Sequence, residues 1–113
     1  MLRSDNHLSM ENFVKQTLLY DFYGDLLTDH QKEIYEAYAL DNLSLAEMAN
    51  EFGISRQGVH DIIKRVNASL EEYEKKLGLV KKFLKVKEEV ARIQESSDIE
   101  KAKKIATKIL EEL

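Results

Sequence analysis

The absence of proline is the feature that most limits how this chain can fold. None of its 113 residues is proline, and only four are glycine. Because these two residues interrupt helices most strongly, the chain can be helical over most of its length. Apolar residues also recur at intervals of three and four from residue 10 onward, which is the period of an amphipathic helix. The sequence therefore predicts an all-α protein.

Polar residues and glycines predict where the helices begin and end. Thr28 with Gln31, and Ser44 with Glu47, have the spacing of a capping box, in which each side chain bonds a backbone N–H group at a helix start. Residues 1–8 show no periodicity and are expected to be frayed. We expect helices over about 10–23, from Thr28, from Ser44 to Gly53, from Ser55 to Leu77, over about 79–95 and over about 99–112.

The fourth of these helices is the longest, and it ends at the expected border between a core and a C-terminal arm. Its predicted inner stripe is Val59, Ile62, Val66, Ser69 or Leu70, Tyr73 and Leu77. We expect a single domain, 1–113, made of a core at 10–78 and a helical arm at 79–113. The apolar faces of the arm are too wide to leave in water, which predicts an oligomerisation surface and a homodimer. Folding of the arm back onto the long helix is the alternative.

Residues 45–64, LAEMANEFGISRQGVHDIIK, have the pattern of a helix-turn-helix. Ala49 is small where the two helices would meet, and Gly53 tolerates the positive φ of a tight turn. Ile54 would fill the space between the helices, and Ser55 can cap the second one. Val59 and Ile62 are expected to bury this long recognition helix against the first. The alternative is an ordinary helical hairpin.

The side of the second helix that faces away from this core carries polar groups suited to DNA. Arg56 could donate to guanine and Gln57 to adenine, while Lys64 and Arg65 are placed for phosphate. Asp61 would repel phosphate unless it accepts from cytosine or pairs with Lys64 or Arg65. A solvated polar face is the alternative. Gly58, which has no side chain, would allow close backbone approach. The candidate DNA-binding residues are Ser55, Arg56, Gln57, Gly58, His60, Asp61, Lys64 and Arg65.

The net charge of −4 is unevenly spread along the chain. Residues 1–42 carry a net charge of −5, residues 43–66 are neutral, and residues 67–113 carry +1. If the first two helices face away from the groove, an acidic chain can still present a neutral or positive edge to DNA within a Debye length of about 8–10 Å.

Other classes of function lack the residues they need. Histidines at positions 7, 30 and 60 have no partner at metal-ligand spacing, and the sequence has no phosphate-binding loop and no nucleophile elbow. We therefore expect no catalysis, no metal and no cofactor. With no cysteine, no signal peptide and no membrane span, we expect a cytoplasmic protein that does not insert into membranes.

Two further runs have a structural and a functional interpretation. The aromatic residues between positions 20 and 38 could stack on bases, but their helical spacing favours the core. The segment KKFLKVK at 81–87 could contact phosphates or RNA, but Glu88 and Glu89 favour a solvated face of balanced charge.

The chain resembles two groups of bacterial proteins. Residues 28–77 resemble the fourth conserved region of sigma factors. A longer stretch resembles the YlxM family of small proteins, through DFYGDLLT at 21–28, the corner at 41–45, SRQGVHD at 55–61 and LEEYEKKL at 70–77. The resemblance is weak over about 85–113.

These resemblances imply a function. Matching residues of the sigma-factor element read promoter DNA, which implies a DNA-binding regulatory protein that uses Ser55, Arg56, Gln57, His60, Lys64 and Arg65. Genes of the YlxM family lie beside those of the signal recognition particle, which implies a link to that pathway. Two alternatives stay open: an accessory protein that binds the RNA or protein of the particle, and a pure protein-interaction module.

Overall fold

The computed structural model describes residues 7–113, with side chains described from residue 12 onward. This part of the chain forms six α-helices and one 3₁₀ helix, and it contains no strand, so the predicted all-α class is confirmed. The helices are α1 (His7–Tyr23), a 3₁₀ turn (Gly24–Leu26), α2 (Asp29–Ala39), α3 (Leu45–Phe52), α4 (Arg56–Leu77), α5 (Leu79–Glu95) and α6 (Ile99–Glu112).

Both capping boxes form as predicted. The Thr28 hydroxyl accepts the N–H of Gln31 at 3.2 Å, and the Gln31 side chain accepts the N–H of Thr28 at 3.1 Å. The Ser44 and Glu47 side chains satisfy each other's N–H groups in the same way, at 3.0 and 2.9 Å. The first helix begins earlier than expected, at His7, and the rest of the segment predicted to fray lies outside the described residues.

The chain divides into two compact units, the first ending at Leu77 and the second comprising Gly78–Leu113. In the first unit α4 is the central helix, and α1, α2 and α3 all pack against it. In the second unit α5 packs on α6 as a helical hairpin. The division falls within a residue of the predicted border between core and arm, while the expectation of a single domain stays a prediction.

The core of the first unit contains three of the five aromatic residues between positions 20 and 38, while Phe22 and Tyr38 are half-buried. Tyr23 and Tyr35 are each 1% exposed, and Tyr20 is 9% exposed. Their hydroxyl groups find acceptors on neighbouring helices, because a buried hydroxyl without a partner is costly. Tyr20 donates to Glu36, Tyr23 to Glu74 and Tyr35 to Asn67, at 2.6, 2.5 and 2.7 Å.

The inner stripe of α4 differs from the prediction at three positions, Ile62, Tyr73 and Leu77, of which Tyr73 is half-buried. Ile63 is fully buried, whereas Ile62, which was expected inside, is half-buried. The buried residues are Val59, Ile63, Val66 and Leu70, spaced four, three and four apart. With 3.6 residues per turn, positions 62 and 63 flank the same direction, and packing selects the second. Leu77, also expected inside, is 55% exposed at the end of the helix.

The arm hairpin has a small buried interface, and several large apolar side chains remain exposed among its charged surface residues. Asp98 caps α6 by accepting the N–H of Lys101, so the break predicted at 96–98 is confirmed. Ion pairs cross the hairpin from Lys85 to Glu112 at 2.7 Å and from Lys108 to Glu89 at 3.9 Å. The large apolar side chains that stay exposed in this unit are Leu79, Phe83, Leu84, Val90, Ile99, Leu110 and Leu113.

Candidate nucleic-acid interface

The turn between α3 and α4 has the backbone geometry that the helix-turn-helix pattern predicts. Gly53 has a φ of +69° and a ψ of 32°, in the left-handed region. The N–H groups of Gly53 and Ile54 both donate to the carbonyl of Ala49, at 3.2 Å for Ile54. This arrangement ends α3 and reverses the chain. A side chain at position 53 would be strained, which explains why glycine occupies it.

Ser55 caps α4 and gives Gly58 a local structural role. The Ser55 hydroxyl oxygen accepts the N–H of Gly58 at 2.9 Å. A Cβ atom at position 58 would lie 3.2 Å from that oxygen and 3.8 Å from the Cβ of Ile54. The absence of a side chain at Gly58 therefore makes room for the cap, a reason separate from the predicted close approach to DNA.

Burial of one side of α4 turns the predicted reading residues outward. Val59 and Ile63 are fully buried, and so is Met48 of α3, which packs against α4. The residues that stay exposed are Ser55, Arg56 and Gln57 at the start of the helix, and Asp61, Lys64 and Arg65 further along it; we call this accessible set its exposed face. The structure thus brings these predicted site residues together on the accessible face of one helix.

His60 lies at the edge of this face rather than on it. Its side chain keeps 36% of its surface exposed. Its Nδ1 atom is buried and has no hydrogen-bond partner among the described residues, with Asp61 Oδ1 at 3.7 Å. The imidazole can therefore reach a ligand through its exposed edge only.

Three cations on this face have no anionic partner in the described part of the chain. No carboxylate there lies within 4.0 Å of the charged nitrogens of Arg56, Lys64 or Arg65. An unpaired exposed cation keeps its full charge for an external anion. The face can therefore accept phosphate or the acceptor edge of a base without first breaking an internal salt bridge.

Asp61 has a partner on its own helix. The Nε2 atom of Gln57 donates to Asp61 Oδ1 at 2.9 Å, and the pairing with Lys64 or Arg65, one of the two arrangements considered from the sequence, does not form among the described residues. A glutamine four residues before an aspartate on a helix is a known stabilising pair. The spacing of Gln57 and Asp61 is visible in the sequence, but the same carboxylate also has Lys64 and Arg65 at helical spacing.

The wider electrostatic setting of the face is acidic. Residues up to Leu77 include eight basic and fourteen acidic side chains, net −6, whereas Gly78–Leu113 include nine and seven, net +2. On α3, Glu47 and Glu51 are exposed. The backbone N–H of Ser44 donates to Glu47 and holds the pKa of that carboxyl below its usual value. Any anionic ligand therefore meets a local positive face on an acidic unit.

The described residues also bear on metal binding and on insertion into membranes. The described part of the chain contains no cluster of histidine, aspartate and glutamate that could hold a metal ion. None of its helices combines the length and apolar character needed to cross a membrane.

Comparison with known proteins agrees with the geometry of the turn and the two helices. The profile of the UPF0122 family, described as "Putative helix-turn-helix protein, YlxM / p13 like", matches residues 10–110. The chain belongs to this family. The resemblance to the YlxM family is thereby confirmed, and the match extends into the arm, where the resemblance was weak.

Individual members of the family are similar over most of their length. The UPF0122 protein YlxM of Bacillus subtilis (strain 168) is 42% identical over 106 residues, which cover 94% of this chain and 96% of that protein. A UPF0122 protein of Caldanaerobacter subterraneus subsp. tengcongensis is 53% identical over 85 residues, covering 75% and 73%. The family description names a helix-turn-helix protein and no catalytic activity.

Proposed function

We propose that this protein binds double-stranded DNA through α3 and α4 and acts as a non-catalytic regulator in the cytoplasm. The observation that carries the proposal is the set of three exposed cations without carboxylate partners, Arg56, Lys64 and Arg65, on the outer face of α4. They lie on the second helix of a helix-turn-helix, the element that enters the major groove in proteins of this architecture.

The positions of the polar side chains along α4 assign each a role. Arg56 and Gln57 lie in the first turn, where a recognition helix meets base edges. Lys64 and Arg65 follow eight residues later, roughly 12 Å along the axis at 1.5 Å per residue. That distance suits them to the phosphate backbone, which sets affinity and register rather than sequence preference.

Because the first unit carries a net charge of −6, we expect a single copy of the protein to bind DNA weakly. Two copies held together would double the phosphate contacts, and the arm offers a surface for this. Phe83 and Val90 of α5 remain 42% and 41% exposed, and Leu110 of α6 is 73% exposed. Such apolar exposure is typical of an association surface. We propose a homodimer formed through the arm.

Titration of the full chain against a pool of random DNA duplexes and against an RNA hairpin, over a range of salt, tests the proposal. We expect duplex binding whose logarithm falls linearly with the logarithm of salt concentration. A triple variant, Arg56, Lys64 and Arg65 to Ala, should lose this binding. A matched triple variant of exposed arm lysines, Lys82, Lys101 and Lys104 to Ala, should retain it. Failure of the full chain to bind any duplex in low salt contradicts the proposal.

One observation favours the alternatives that involve the signal recognition particle or a protein partner. The unit with the helix-turn-helix is acidic, and the arm carries the positive net charge. The same titration distinguishes these alternatives. If the arm variant loses binding to the RNA hairpin and the α4 variant keeps it, an RNA-binding accessory role is supported. Binding of neither nucleic acid supports a protein-interaction module.

A further inference from the structure

Gln57 and Asp61 form a defined pair in the middle of the exposed face of α4. Gln57 Nε2 donates to Asp61 Oδ1 at 2.9 Å, one helical turn apart. An ionised carboxylate accepts hydrogen bonds and donates none. The nitrogen of the Gln57 amide must therefore face Asp61, and its oxygen must face away. The contact settles the orientation of an amide that is otherwise free to flip.

An amide held in this way matches one base edge in the major groove. Adenine presents the acceptor N7 and the donor N6 side by side, and glutamine reads them with its nitrogen and its oxygen. Because Nε2 has two hydrogens, it can keep the bond to Asp61 with one and donate to N7 with the other. Guanine presents the acceptor O6 where adenine has its donor, and the outward Oε1 of Gln57 would oppose it.

We propose that Asp61 is a positioning residue that holds Gln57 in the orientation that recognises adenine in an A·T pair. This inference rests on the proposed DNA-binding function and specifies which base pair the first turn of α4 prefers. A side chain that is already ordered loses less conformational freedom on binding. Asp61 thereby contributes to base selection, although its own charge opposes the phosphate backbone.

The contacts around Asp61 distinguish this role from that of an ordinary surface acid. A carboxylate that served to balance charge would pair with Lys64 or Arg65, which lie three and four residues further along the helix. The described structure has no such pair, and Asp61 instead contacts Gln57 and lies 3.7 Å from His60 Nδ1. The cations thus remain available for phosphate while the carboxylate orients the amide.

The test is selection of preferred duplexes from a random pool by the full-length protein and by Gln57→Ala, Asp61→Ala and Glu51→Ala variants. We expect the wild-type protein to select an A·T pair at one position, by roughly tenfold over G·C. Gln57→Ala should abolish that preference, and Asp61→Ala should weaken it severalfold at the same position. Glu51→Ala removes an exposed acid of α3 and should leave the preference intact. Both acid-to-alanine variants should bind a scrambled duplex more tightly, because each removes a negative charge.

A second measurement on the free protein separates positioning from other effects of the substitution. The side-chain amide resonances of Gln57 should shift in Asp61→Ala and stay unchanged in Glu51→Ala. Duplex binding by Asp61→Ala with the full wild-type preference for A·T overturns the positioning role and leaves DNA binding intact. Absence of duplex binding by the wild-type protein overturns the proposed function and, with it, this inference.

Discussion

At the scale of single residues, Arg56 is the group most suited to base recognition. It is exposed in the first turn of α4 and has no carboxylate partner among the described side chains. We predict that Arg56→Ala reduces discrimination between the preferred and a mutated duplex by about 1–3 kcal/mol, because a bidentate contact to a base is lost. Affinity for random duplexes should change little. Fluorescence anisotropy titrations with both duplexes measure the difference, and equal losses on both contradict a base-reading role.

Lys64 should behave differently because its proposed contact is with phosphate rather than with a base. We predict that Lys64→Ala weakens binding to all duplexes alike and lowers the slope of log affinity against log salt by about one. Lys75→Ala is the matched control, since it removes the same charge from an exposed position near the other end of α4. A salt slope that Lys64→Ala leaves unchanged is incompatible with a phosphate contact.

At the scale of elements, the arm hairpin contains a buried acid that is poorly satisfied. Glu89 is 5% exposed, its Oε1 atom has no hydrogen-bond partner in the described structure, and Lys108 lies 3.9 Å from Oε2. Buried ions of this kind cost desolvation energy that a distant, exposed partner does not recover. The carboxylate therefore weakens the contact between α5 and α6.

We predict that Glu89→Met stabilises the hairpin by about 1 kcal/mol or more, since an apolar side chain of similar length replaces the buried ion. Amide hydrogen exchange in α5 and α6 should slow in this variant. Glu88→Met, at the exposed neighbouring position, is the control and should produce no such gain. Faster exchange in Glu89→Met would mean that the carboxylate stabilises the hairpin.

At the scale of the whole molecule, two buried tyrosines link stability to alkaline pH. Burial, above all, raises the pKa of Tyr20 and that of Tyr35 well above the usual value, and the Glu36 carboxylate adds to the effect on Tyr20. In the unfolded chain a tyrosine loses its proton near pH 10, approximately its ordinary pKa. Above that pH the unfolded chain binds fewer protons than the folded one. The folded state thus loses stability as pH rises.

We predict that the free energy of unfolding is steady up to about pH 10 and falls above it. In Tyr35→Phe the fall should be shallower, because one of the two groups no longer ionises. The same variant should be less stable at pH 8, since Asn67 Oδ1 loses the hydroxyl that donates to it. Urea unfolding at a series of pH values measures both effects. A slope equal to that of the wild-type protein above pH 10 contradicts the assignment to Tyr35.

The apolar surface of the arm gives the prediction on oligomeric state. Light scattering of the full chain at micromolar concentration should give about twice the monomer mass of 13.1 kDa. Leu110→Glu places a charge at a position that is 73% exposed, so it should leave the monomer folded and separate the dimer. Thr107→Glu, at another exposed position of α6, is the matched control. A monomer mass for the wild-type protein excludes this dimer.

The linear pattern of residues was enough to predict six helices and most of their ends. Helix ends depend on contacts between residues three or four apart, such as those of Thr28 with Gln31 and Ser44 with Glu47, and such contacts are visible in a linear pattern. The left-handed turn at Gly53 is equally local. The predicted set of outward residues on α4 likewise follows from helical periodicity, so most of the candidate site could be placed without a structure.

Where two positions satisfy the same helical period, the packing of the helices selects between them. Ile62 and Ile63 both lie near the inner side of α4, and the packing of α1, α2 and α3 around that helix selected Ile63. Asp61 had three possible partners within a helical turn, and the geometry of the side chains selected Gln57. Burial and side-chain pairing depend on distances between groups in space. Helical periodicity narrows the choice of neighbours, but it does not set these distances.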